Sequence, residues 1–112
     1  MEQNSIKRRL YESSPAFKIY PKTYEKSIYV LFGDFGIFLR DQIMSAHLET
    51  LPTAFHFINE MLDENDNELD DLLKTTTLET LCDYEETRSY ALAYLNEKGK
   101  LFMKSVIEKY FN

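Results

Sequence analysis

Two stretches of the chain carry apolar side chains at intervals of three and four, and that interval limits the available folds more than any other feature. Phe35, Phe38, Leu39, Gln42, Ile43 and Ala46 fall on one face of a helix that opens near Asp34. Phe55, Ile58, Met61 and Leu62 form a second stripe behind Thr50 and Pro52. A strand turns alternate residues to opposite faces, so this spacing belongs to the helical period. Only three Gly and three Pro punctuate the 112 residues, whereas an all-β chain needs turn signals every 8 to 12 residues or so, roughly. The expected fold is all-α: a single domain over residues 1–112, a compact bundle of about five to six helices around a central apolar helix.

The helix beginning near Asp34 is the expected centre. Ile37 and Met44 are apolar on its other faces, and a helix apolar all round is covered on several sides. Asp34 reads as its N-cap, with Gly33 and Gly36 as points of close approach by a neighbouring helix or the entering chain. Upstream, Ser5 to Glu12 forms a short helix carrying Ile6, Leu10 and Tyr11, and Ser14-Pro15 restarts a second piece over Ala16 to Tyr20 that ends at Pro21. Tyr24 to Ser27 is ambiguous, and Ile28 to Phe32 fits either an extended or a helical segment.

Downstream, Asp63 to Asn67 reads as a polar connection, with Asp66 or Asn67 capping the next helix. Leu69, Leu72, Leu73 and Thr76 make one face of that helix, and Leu78, Leu81 and Cys82 make a displaced one. A kink or break within Thr75 to Thr77, three β-branched residues in a row, reconciles them. A helix over Tyr84 to Asn96 follows, Gly99 suits a C-terminal cap or turn, and a last helix over Lys100 to Phe111 groups Phe102, Met103, Val106, Ile107 and Tyr110.

Charge is distributed in blocks. Residues 1–26 carry a net +3, residues 27–46 carry −1, residues 47–86 carry −11 and residues 87–112 carry +3. A surface of one negative sign repels nucleic-acid phosphates, which argues against DNA or RNA as a partner. Two readings of the acid block stand side by side. In one, Glu68, Asp70 and Asp71 answer the positive end of a helix dipole and the block is solvated near the chain's own basic termini. In the other, Glu60, Asp63, Glu64, Asp66, Asp70 and Asp71 form a partner-binding surface that steers a basic protein.

The single Cys82 has no second thiol for a disulfide or a metal site, as expected of a reducing, cytoplasmic compartment. The first 14 residues lack the apolar run of a signal peptide. The longest apolar stretch, Ile28 to Leu39, is interrupted by Asp34 and falls short of the ~20 residues of a membrane span.

Short motifs give no catalytic constellation. Gly33-Asp34-Phe35-Gly36 spells the metal-binding tripeptide of kinases without the Gly-rich loop, strand lysine and catalytic loop that a kinase requires. Asp63, Asn65, Asn67 and Asp71 begin like an EF-hand loop, but Glu68 stands where Gly belongs and Lys74 where the bidentate Glu belongs. His47 and His56 lack zinc-hydrolase spacing, and Cys82 lies on an apolar helix face with no local cation to activate it. Neither catalytic nor metal-ligating residues are assigned, and no cofactor is expected. Tyr11, Tyr20, Tyr24, Tyr29 and Tyr84 do not all fit core positions, which suits either half-buried packing or a binding surface.

Val30-Leu31-Phe32-Gly33-Asp34-Phe35 with Phe38-Leu39, followed by Phe55-x-Phe57-Ile58-Asn59-Glu60, Asp66-Asn67-Glu68-Leu69 and Leu78-Glu79-x-Leu81, resembles a family of small uncharacterised bacterial proteins over roughly Pro15 to Ala93. The resemblance implies an all-helical single domain and, through members that look like immunity proteins paired with toxins, a protein partner. It carries no catalytic residues. The resulting expectation is a non-enzymatic interaction module, of immunity type, whose acidic surface binds a basic partner. Its rivals are a small ligand-binding protein or enzyme with a pocket near Asp34, Tyr29 and Glu60, and a homodimer joined through exposed aromatic residues.

Overall fold

A computed structural model describes residues 2–18 and 27–110, with Lys18 described by its backbone alone. The readings placed on Tyr20, Pro21, Tyr24 and Phe111 lie outside these residues. The described residues fold into helices only: α1 (Gln3–Ser13), α2 (Pro15–Lys18), α3 (Ile28–Met44), α4 (Leu51–Asp63), α5 (Asn67–Thr75), α6 (Thr77–Leu81), α7 (Glu85–Tyr94) and α8 (Glu97–Tyr110). The all-α expectation holds. The short α2 and α6 raise the number of helical segments above the five to six expected. None of the described helices is long and apolar enough to cross a membrane.

The start of α3 corrects the sequence reading. Ser27, not Asp34, is its N-cap: the Ser27 hydroxyl accepts a hydrogen bond from the Val30 N–H at 3.3 Å. Ile28 to Phe32 is helical, and Asp34 stands inside the second turn. The apolar run from Ile28 to Phe32 buries Ile28, Leu31 and Phe32 on the same side as Phe35, Phe38 and Leu39, so tertiary packing settles what local pattern left open. The far end is also shorter than expected. Ser45 is the C-cap, and Ala46 leaves the helical face for a left-handed turn at φ 58°.

The core is an aromatic cluster built around α3. Phe17 of α2 meets Phe35 at 5.3 Å and Phe38 at 5.4 Å between ring centroids, and Phe32 and Phe35 both reach Phe57 of α4. Each such ring, withdrawn from water, contributes about 1.5–3 kcal/mol. On another side α3 packs against α6, its principal neighbour. Gly36 makes this approach possible, because a Cβ there would stand 3.0 Å from the Thr77 Cα and the Thr80 Cβ. At Gly33 the same construction meets nothing within 4 Å, so only one of the two glycines serves as a contact point.

The expected break in the fifth helix is present at Thr76, whose hydroxyl donates to the Leu72 carbonyl and whose φ and ψ of −122° and −85° interrupt the helix. The two apolar faces inferred from Leu69–Leu73 and Leu78–Cys82 are the faces of α5 and α6. Gly99 is neither cap nor turn: it lies in the first turn of α8, packed on Leu62 and Leu95. The Asn96 side chain accepts a hydrogen bond from the Gly99 N–H at 2.9 Å, the geometry of an N-cap, so α8 opens at Glu97, before the expected Lys100. Tyr110, expected among the apolar residues of this helix, is exposed.

As expected, α3 is central and covered on several sides, by α5, α6 and α7 as well as by Phe17 and Phe57; the face that carries Ile37 and Met44 is not one of the covered ones. Val30, Ile37 and Met44 keep 50%, 40% and 48% of their surface in water.

Candidate functional site

The six carboxylates expected to bind a partner surround the corner where α4 gives way to α5. Glu60 and Asp63 lie in the last turn of α4, Glu64 is its C-cap, and Asp66 is the N-cap of α5, accepting from the Glu68 N–H at 2.8 Å and the Leu69 N–H at 3.3 Å. Asp70 and Asp71 follow in the first turn and a half of α5. Helix capping and the α5 dipole therefore account for part of this acidity.

Most of the other carboxylates meet partners from the rest of the chain. Arg9 of α1 contacts Glu64 at 3.0 Å, and Lys98 of α8 contacts Asp70 at 2.8 Å. The Asn96 amide donates to Asp63 at 3.0 Å, Tyr29 of α3 donates its hydroxyl to Asp71 at 2.8 Å, and His56 lies 3.4 Å from Glu60. The hydrogen bond to Asp71, followed by burial and the Asp71 and Glu68 charges, raises the Tyr29 pKa above its ordinary value. These partners belong to α1, α3, α4, α8 and the connection before α8, so the six carboxylates encircle the corner instead of lining one wall. One basic residue from each end of the sequence lies against the acid block: Arg9 is tied to Glu64 and Lys98 to Asp70. Glu60, Asp63 and Asp71 remain exposed to water, as does Glu64 beside Arg9.

Sequence reading missed Asn59. Its side-chain oxygen accepts from the Asn96 N–H at 2.9 Å and its amide donates to the Tyr94 carbonyl at 3.0 Å. This pair fixes the corner between α7 and α8 against α4 and holds Asp63 beside Asn96. Two Asn residues 37 positions apart give no local signal of such a pairing.

The residues named for a ligand pocket are not brought together. Glu60 borders a cleft of about 280 Å³ between α1 and α4, shared with Arg9, Glu12, Thr53, His56 and Phe57; Tyr29 and Asp34 do not line it. A second cleft of about 210 Å³ lies between α8 and the α5–α6 corner, bordered by Lys74, Glu79, Val106 and Tyr110. Both are smaller than the roughly 300–1,000 Å³ of ordinary small-molecule sites. Among the described residues, no three His, Cys, Asp or Glu side chains converge as a metal-holding group. Cys82 is fully buried, donates its thiol to the Leu78 carbonyl at 3.3 Å, and has its pKa pushed up to about 11 by that burial. A thiol so placed is a packing residue.

A family model described as Domain of unknown function (DUF7674) matches residues 4–111. The chain belongs to that family. No curated protein and no solved structure matches it. The DUF7674 match runs from the first turn of α1 past the end of α8, wider than the stretch that carried the sequence resemblance, and takes in the acid block together with both of its cationic partners. In this DUF7674 chain the ion pairs from Arg9 and Lys98 join the two ends of the matched region to its middle.

Proposed function

We propose that this protein is a non-enzymatic interaction module that receives a basic protein partner on its acidic surface. The observation that carries the reading is the imbalance around the α4–α5 corner. Residues 47–86 hold a net −11, while Arg9 and Lys98 answer only Glu64 and Asp70 among the six carboxylates. Glu60, Asp63 and Asp71 present their charge to solvent, where it accelerates encounter with a cationic surface and disfavours wrong partners. The small clefts and the protonated, buried thiol favour this reading over a small-molecule enzyme.

The specific form of the proposal is an immunity-type protein of the bacterial cytoplasm that covers the basic surface of a toxin. Its support is the resemblance described above together with the acidic surface.

The test compares the native protein with a variant carrying Glu60→Gln, Asp63→Asn and Asp71→Asn, which leaves the Arg9–Glu64 and Lys98–Asp70 pairs in place. Both are used as bait in lysate of the source cell, and the captured protein is then titrated against each in rising salt. A partner of basic character, bound faster by the native protein and with a steeper salt dependence, is the expected result. Equal recovery and equal salt dependence would dispose of the acidic surface as a binding site.

A further inference from the structure

Val30, Ile37 and Met44 follow one another at intervals of seven, so they stand one above another on α3 with a drift of only about 20° per step. All three are exposed. Gly33 lies between the first two on the same face, and nothing stands within 4 Å of the position its Cβ would take. The result is an apolar strip with an open backbone notch, on a helix whose opposite side holds the aromatic core. A helix apolar on every face is normally enclosed, and an uncovered strip of this kind marks a contact surface. Sevenfold spacing is the repeat that matches another helix laid alongside.

The borders of the strip say what kind of helix. On one side, at the next helical positions, stand Asp34 and Asp41. On the other, Tyr29 holds Asp71 at 2.8 Å and Arg40 holds Asp83 at 2.9 Å. Four carboxylates thus flank the strip, and Arg40 lies among them, 2.9 Å from Asp83 and 3.7 Å from Asp41. Resting on the interaction-module reading above, we propose that this face of α3 is the docking site for a cationic amphipathic helix of a partner protein, its apolar side on Val30, Ile37 and Met44 and its Lys or Arg residues toward the carboxylate borders. A second copy of this chain fits poorly: in an antiparallel pair, Asp34 and Asp41 of one copy would face Asp41 and Asp34 of the other, and like charges so placed oppose association.

The probe is a synthetic helical peptide of about three heptads with Leu at the a and d positions and Lys on the flanks, compared with the same peptide bearing Glu on the flanks. Binding to the full chain is followed by calorimetry. The native protein is expected to bind the Lys peptide and not the Glu peptide. Ile37→Gln with Met44→Gln, exposed positions given a good helix former, is expected to weaken binding at least tenfold with the thermal midpoint unchanged. Asp34→Asn with Asp41→Asn is expected to weaken it and to flatten its salt dependence. The Glu60→Gln, Asp63→Asn pair, on α4 and not among the carboxylates that border the strip, is expected to leave it unaltered.

Undiminished binding by the Ile37 and Met44 variant overturns this site without touching the acidic-surface proposal, and loss of peptide binding in the Glu60 and Asp63 variant moves the site to α4 and overturns it as well. Equal binding of the Glu peptide, or no binding of the Lys peptide, also overturns it. So does a native dimer in light scattering that the Ile37 and Met44 variant abolishes, or adsorption to anionic phosphatidylglycerol vesicles lost in the same variant, since these would give the strip to a second copy or to a membrane.

Discussion

Gly36 of α3 and Thr77 of α6 stand so close that a methyl group on the glycine would lie 3.0 Å from the Thr77 Cα and 3.2 Å from its carbonyl oxygen. The same threonine donates its hydroxyl to the Phe32 carbonyl at 2.7 Å, one turn earlier on α3. The contact and the hydrogen bond lock the two helices at one point. Gly36→Ala therefore cannot realise the gain of about 1 kcal/mol that replacing a helical glycine brings, because the backbone of α6 must move. The expected outcome is a net loss of about 1–2 kcal/mol by urea denaturation. Gly33→Ala, on the same helix but facing open space, is expected to stabilise by about 0.5–1 kcal/mol. Changes of the same sign in both would contradict the assignment of Gly36 alone to the interface.

The end of α3 offers a stabilising change. The His47 N–H donates to the Gln42 carbonyl at 2.9 Å and the Ala46 N–H to the Ile43 carbonyl at 3.1 Å, with Ala46 left-handed at φ 58°. This is the Schellman arrangement, in which that position ordinarily belongs to glycine. An alanine held there costs roughly 1 kcal/mol through its Cβ. Ala46→Gly is expected to recover most of that, an increase of about 0.5–1 kcal/mol in unfolding free energy; a decrease would rule out strain at this residue.

How far the sequence could be read follows from these same residues. Spacing of three and four located α3 and α4, because a core face imposes its period on the residues that fill it. The break at Thr76 was legible because Leu69–Leu73 and Leu78–Cys82 point to different faces. The start of α3 was not, since Ile28 to Phe32 is an unbroken run without a helical period and Asp34 imitates a cap; packing such as that of Phe32 on Phe57 distinguishes the alternatives. Gly99 misled for a related reason. Glycine before a charged stretch usually ends a helix, but here the missing Cβ admits Leu62 and Leu95. The carboxylates themselves were plain in composition, whereas which of them meet Arg9 or Lys98 depends on pairings as far as 55 residues apart for Arg9–Glu64, which no local pattern encodes. Val30, Ile37 and Met44 did carry their sevenfold spacing openly, but an apolar residue shows by itself neither burial nor exposure.

Asp70 and Lys98 should couple measurably in stability. Their charged atoms are 2.8 Å apart and both side chains are largely enclosed, at 18% and 28% exposure. A double-mutant cycle with Asp70→Asn and Lys98→Met is expected to give an interaction of about 1–2 kcal/mol, shrinking in high salt. The exposed His56–Glu60 pair on α4, treated in the same way, is expected to give no more than about 0.5 kcal/mol. Equal couplings would mean that Asp70 is as solvated as Glu60 and belongs with the carboxylates open to a partner.

Alkaline pH should loosen the fold in a defined window. Burial holds the Cys82 thiol protonated up to about 11, against an ordinary value of 9.0. The Tyr29 phenol is raised by its hydrogen bond to Asp71, and that of Tyr90 by burial and by Tyr94. Each native group keeps its proton at a pH where the unfolded chain has begun to release it, so the unfolded state binds fewer protons and stability falls as pH rises. For Cys82 the contribution is whole below about pH 9 and disappears as pH climbs toward 11; the tyrosines extend the decline above 10. The thermal midpoint is expected to be level from pH 7 to 9 and to drop from there, with a shallower drop between 9 and 11 in Cys82→Ala. At pH 8 the native thiol should react with a disulfide reagent only as fast as the protein unfolds, and at once in denaturant. Rapid labelling of the folded protein, or a midpoint indifferent to pH up to 11, would show that the thiol between α6 and α7 is in contact with water.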